Sequence, residues 1–86
     1  VLTSSIIYPN PASEQFNLSL NLLQSAKVTV ELYDIAGKKV STLLDETLPV
    51  GNNSQQLNVS GLTPGYYLLK VTAGNNMFNH KLILQQ

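Results

Sequence analysis

The alternation of side chains between Tyr67 and Ala73 restricts this chain more than any other feature. Tyr67, Leu69, Val71 and Ala73 fall on one side of an extended strand, and Leu68, Lys70 and Thr72 fall on the other. That two-residue repeat is the mark of a half-buried β-strand. The segment leading into it, Ser60-Gly61-Leu62-Thr63-Pro64-Gly65-Tyr66, is built from turn residues. Pro64 presets φ for the second position of a tight turn, and Gly65 supplies the positive φ that a type II turn needs next. A turn running straight into a strand whose first inward residue is Tyr67 predicts a ring packed in the core and a hydroxyl bonded to the backbone upstream.

A tyrosine held in that way forms the corner of immunoglobulin-like sandwiches. The rest of the chain supports the same class. Phe16, Leu18 and Leu20 alternate with Asn17, Ser19 and Asn21, and Val28, Val30 and Leu32 alternate with Lys27, Thr29 and Glu31. A helix could also gather Phe16, Leu20 and Leu23, but Asn and Ser are poor in helix interiors. Ile6-Ile7-Tyr8 is a short opening strand ended by Pro9-Asn10-Pro11, since neither proline donates to a ladder. Leu22 to Ala26 reads as a connection, with Leu22 or Leu23 tucked under the core. Asp34-Ile35-Ala36-Gly37 closes a hairpin, with Asp34 opening a type I turn and Gly37 in the left-handed position of the bulge that follows. Lys38 to Leu44 is its return strand, with Val40 as the inward residue. Asp45 to Asn53 reads as a polar connection that crosses between sheets, and Ser54 to Val59 as a strand with Leu57 and Val59 inward. Gly74-Asn75 turns the chain into a last strand from Asn76 to Gln85. The expectation is all-β: an immunoglobulin/fibronectin-III-like β-sandwich of about seven antiparallel strands.

Size and charge narrow the function. Eighty-six residues make one domain. The chain opens on Val1, so it reads as a piece of a longer polypeptide, with 1–5 a linker tail and 6–86 the folded unit. Five lysines balance five carboxylates with no arginine, a poor composition for nucleic acid or an anionic membrane. Cysteine is absent, which excludes thiolate zinc sites and iron–sulfur clusters. No apolar run approaches the roughly 18 residues of a spanning helix, and no cleavable signal opens the chain.

Chemistry is sparse. His80 has Asn79 and Lys81 for neighbours and reads as a plain strand residue, not a metal ligand. Asp34 belongs to a turn, and Asp45-Glu46 to a connection with no opposed environments for acid–base work. Calcium loops, phosphate loops and nucleophile elbows are missing. No catalytic residue, cofactor or metal is therefore assigned. Tyr66, on the face opposite Tyr67, is read as a strand aromatic covered by a neighbour, with an exposed sugar- or partner-binding ring as the alternative. Asn17, Asn52 and Asn58 open Asn-x-Ser patterns, which are glycosylation candidates in a eukaryotic secreted chain and polar surface in a bacterial one.

Four pieces in order resemble the C-terminal sorting domain of the bacterial type IX (Por) secretion system, type A. Ile7-Tyr8-Pro9-Asn10-Pro11-Ala12 is similar to its opening motif, and Val30 to Val40, with Asp34 and Gly37, to its central hairpin. Ser60 to Leu68, with Leu62, Pro64, Gly65 and Tyr67, resembles its Leu-x-Pro-Gly-x-Tyr segment. Lys81-Leu82-Ile83-Leu84 resembles its terminal strand of lysine and aliphatics. Tyr66 departs from the pattern, an aliphatic being commoner there.

This resemblance implies a non-catalytic address on a protein of a Bacteroidota-type Gram-negative bacterium. The cargo, N-terminal to the domain in the same precursor, reaches the periplasm by its own signal. The partners implied are the outer-membrane translocon and a surface sortase-like peptidase that cuts ahead of the domain. The cargo is then secreted or attached to anionic lipopolysaccharide at the cell surface. Recognition is expected at Lys81, Leu82, Ile83 and Leu84, by strand addition at an accessible edge. The competing reading is a fibronectin-III-like spacer or a carbohydrate-binding or adhesion module of a secreted enzyme.

Overall fold

The structure, a computed structural model, describes residues 2–8 and 13–85, with the backbone alone for 2–4. Seven strands form among these residues: β1 (Leu2–Tyr8), β2 (Gln15–Leu22), β3 (Ala26–Asp34), β4 (Lys39–Leu48), β5 (Gly51–Asn58), β6 (Gly65–Ala73) and β7 (Asn76–Leu84). They make two sheets ordered β1-β2-β5 and β4-β3-β6-β7, with every pairing antiparallel. The sheets face each other as the expected sandwich, β1 beside β7 and β4 beside β5. Pro9, Asn10, Pro11, Ala12 and Gln86 lie outside the described residues.

The core follows the alternation. Phe16, Leu18, Leu20 and Leu22 from β2 meet Val28, Val30 and Leu32 from β3, with Leu69, Val71 and Ala73 from β6 and Leu82 and Leu84 from β7. Each such aliphatic side chain removed from water contributes about 1.5–3 kcal/mol. Among the described residues no charged or polar side chain is buried. Tyr67 packs half-buried against this cluster, and its hydroxyl donates to the Thr63 carbonyl at 2.5 Å, as the corner requires. Leu22 is buried, whereas Leu23 is exposed.

The Asp34 turn forms as expected. Gly37 N donates to Asp34 O at 3.0 Å, Gly37 sits at φ +89°, and Asp34 Oδ1 accepts from Ala36 N and Lys38 N at 3.0 and 2.9 Å. At Gly74-Asn75 the first residue alone has positive φ, +59°, the pattern of a type II′ hairpin.

Four local expectations are corrected. The hydrogen-bonded turn before Tyr67 is Val59 to Leu62, with Leu62 N donating to Val59 O at 3.3 Å and Gly61 at φ +86°. Gly65 instead opens β6 at φ +151°, opposite Leu84, in a region that glycine alone occupies readily. Val40 points outward. Ser41 pairs with Leu32 and Lys39 with Tyr33, so Val40 is the extra residue of a bulge. The fully buried side chain of β4 is Leu48, and Leu43 and Leu44 pack partly buried against the core. The stretch read as a long polar connection is strand at both ends, leaving Pro49-Val50 to cross between sheets. Pairing of β1 starts at Leu2, opposite Leu22, so the first strand reaches into the stretch read as a tail.

These roles separate two substitutions. Tyr67→Phe keeps the ring and loses one hydrogen bond, for an expected cost of about 1 kcal/mol. Leu69→Ala empties part of the core, for roughly 2–5 kcal/mol. Urea unfolding of the two variants checks the order, and a Tyr67→Phe protein as stable as the parent would contradict the corner.

Candidate functional site: the outer face of the last hairpin

The two-residue turn at Gly74-Asn75 sets the register of the β6–β7 hairpin. Ala73 pairs with Asn76, Leu68 with Lys81, Tyr66 with Ile83 and Gly65 with Leu84. Alternation then divides the expected recognition residues between two faces. Leu82 and Leu84 are in the core, at 0% and 4% exposure. Lys81 is exposed and Ile83 half-buried, both on the outer face. Lys81 and Tyr66 are diagonal neighbours across the pair, within reach of a long side chain, and the Lys81 ammonium lies 4.9 Å from the centre of the Tyr66 ring. That is cation–π distance. Tyr66 nevertheless remains 58% exposed, so the lysine covers it less than expected.

β7 is the last strand of the larger sheet, paired there with β6 alone. On its inner side at the sandwich border, half-buried His80 meets β1, its Nε2 2.7 Å from Ser5 Oγ. Burial lowers the His80 pKa below the usual histidine value. Further along the same sheet Lys39 Nζ sits 3.0 Å from Glu31 Oε2, and the Tyr33 hydroxyl donates to Glu31 Oε1 at 3.4 Å. The hydrogen bond from Lys39 is the main cause that holds the Glu31 carboxyl below its ordinary value. Among the described residues no three His, Asp or Glu side chains gather.

The other motif residues are structural in placement. Asp34 and Gly37 build the β3–β4 turn. Leu62 packs against the core, Pro64 is exposed and Tyr67 closes the corner. Tyr8 is 46% exposed at the end of β1. The sequence reading passed over the outward apolar residues Leu68, Met77 and Ile35. For Leu68 and Met77 the signal is an apolar residue at an outward strand position, which breaks the polar half of the alternation; Ile35 is an apolar residue in a turn.

The model of the secretion system C-terminal sorting domain family matches residues 6–85. This chain belongs to that family. It is a type IX sorting signal, and the destination it specifies is the cell surface or the medium. A curated relative, the endo-acting ulvan lyase of Formosa agariphila, is 32% identical over 87 residues, which is 98% of this chain and 15% of that protein. The chain thus spans about 15% of the length of the relative it matches. Among solved structures, the Pseudomonas fluorescens alkylpurine DNA glycosylase AlkC bound to abasic-site DNA is similar at 17% identity and a TM-score of 0.48, over 99% of this chain and 30% of that one. So slight a likeness has no bearing on the sorting domain's role.

Burial of His80 gives the sorting domain a signed pH response. Its folded-state pKa is depressed, so the unfolded chain takes up the proton first as pH falls. Stability is expected to fall as pH drops through about 6.5, the ordinary histidine value, and the loss to level off below the folded pKa. Denaturant midpoints between pH 7.5 and 5 check this. His80→Gln is expected to flatten that part of the profile, and an unchanged profile would contradict the assignment.

Proposed function

We propose that this sorting domain, as a folded sandwich, is the non-catalytic address of a larger precursor. The outer-membrane translocon recognises it, and a surface sortase-like peptidase separates it from the cargo. Residues 6–86 serve as the domain, and 1–5, which include the start of β1, join it to the cargo. Pairing of β1 with β2 from Leu2 onward supports cleavage ahead of that strand. The cargo is a separate unit preceding the domain, a secreted enzyme being one example in view of the ulvan lyase relative. The passenger carries any catalysis, and the domain itself is no enzyme.

The observation that carries this reading is the family match over 6–85, on a chain in which Leu62, Tyr67, Leu82 and Leu84 of the motifs pack into one core. Within Lys81, Leu82, Ile83 and Leu84 the roles divide. Leu82 and Leu84 hold β7 in place, and Lys81 and Ile83 present it. Deleting residues 81–86 would therefore remove core side chains together with any recognition surface. Outward substitutions are the cleaner probe.

A carbohydrate-binding or adhesion role is the second reading, favoured by the exposure of Tyr66. Binding on a glycan array with no export of a fused reporter would favour it.

The test is export. A reporter fused ahead of residues 1–86 is expected outside the cell in a host with the type IX system, and inside when the translocon is deleted. Lys81→Ala is expected to lower the exported fraction several-fold without shifting the unfolding midpoint appreciably. Retention of the unaltered fusion in the periplasm would contradict the function, and full export of Lys81→Ala would remove Lys81 from recognition.

A further inference from the structure

We propose that the outer face of the β6–β7 hairpin is a docking surface for an acidic, apolar segment of a protein of the secretion apparatus. The proposal rests on the sorting function and names the surface that performs it. A shallow hollow runs over this face between the Asp34–Gly37 turn and β7, with Tyr33, Ile35, Tyr66, Leu68 and Met77 in its lining. Four of these are unusually open for apolar or aromatic residues: Ile35 at 84%, Tyr66 at 58%, Met77 at 56% and Leu68 at 43%. Apolar residues exposed together and rimmed by charge fit an interaction site.

Charge selects the occupant. Lys70 and Lys81 line the hollow, and the one carboxylate among its described lining residues is Asp34. That carboxylate already accepts from Ala36 N and Lys38 N. Nearby Glu31 is paired with Lys39 and also faces Lys70 across the β3–β6 pair, which compensates part of the Lys70 charge. The lining of the hollow thus holds more ammonium than carboxylate groups beside aliphatic surface, and Lys81 is held over the Tyr66 ring. A segment placing Asp or Glu next to Leu, Ile or Phe complements both properties.

Other occupants fit less well. A second copy docked face to face would set Lys70 and Lys81 against their own equivalents, since a two-fold contact pairs a patch with itself. Lys81 lies over one face of Tyr66, which leaves a sugar at most the other face for stacking. Leu68 and Met77 suit side chains of a protein, the flexible thioether adapting to their shape.

The experiment places a photoreactive benzoylphenylalanine at Met77 in the reporter fusion, in the type IX host, with Asn52 on β5 as the control position. The expected result is a cross-link from position 77, absent from 52, to an outer-membrane protein of the apparatus, mapping to a segment that contains Asp or Glu. Lys70→Glu combined with Lys81→Glu is expected to lower both the cross-link and the exported reporter at least tenfold. Leu68→Ser with Met77→Ser is a second, uncharged variant for the export readout. Each is compared at an unfolding midpoint near that of the parent. A cross-link to lipopolysaccharide, to another copy of the chain or to a segment without acidic residues would overturn the proposal. So would undiminished export of both folded variants while the parent is exported, which leaves the sorting function intact. Failure of the parent fusion to leave the cell would overturn both.

Discussion

Everything in this domain depends on the packing of Leu82 and Leu84 against the side chains that β2, β3 and β6 send into the core. The strand that bears the family's terminal motif is also a wall of the sandwich. Successive residues of a strand point to opposite faces, so one short sequence serves two purposes. Its even positions from Asn76 onward turn toward the core side, and its odd ones face outward with Tyr66, Leu68 and Lys70. The address and the fold are therefore not separable parts.

The polar features of the domain lie at its borders. Among the described residues no polar side chain is buried, and the contacts that bind elements together at the borders are short range and specific. Tyr67 anchors the start of β6 to Thr63. Ser5 and His80 join the border strands of the two sheets. Asn53 Nδ2 donates to Pro49 O at 2.9 Å and to Gly51 O at 3.2 Å, fixing the crossing from β4 to β5. Lys27 and Asp45, 3.5 Å apart across the β3–β4 pair, are largely exposed, and such a pair contributes little to stability. Apolar packing supplies the stability, and the polar contacts tie the turns and the sheet borders.

The parts of the fold legible in the sequence are those where apolar and polar residues strictly alternate: β2, β3 and β6. The turns at Asp34–Gly37 and Gly74-Asn75 were legible too, because Asp and Gly have conformational roles that few residues share. β4 was misread because bulges opposite Val30/Glu31 and Leu32/Tyr33 break its period. β5 was obscured because its residues, from Gly51 to Gln56, are glycine and uncharged polar ones, which give no apolar stripe until Leu57. At the candidate site, the terminal motif was visible as a string of residues. Its division between core and surface was not, since that needs the hairpin register and the knowledge that both faces of β7 are in use.

The central claim is that β7 is an integral strand of the folded domain and not a tail displayed beside it. Residue-resolved amide hydrogen exchange on residues 1–86 tests it most directly. The account predicts that the alternate amides of Phe78 to Leu84 facing β6 exchange only through global unfolding, at the free energy found for β3 and β6. Exchange of those amides at free-peptide rates, with β3 still protected, would contradict it.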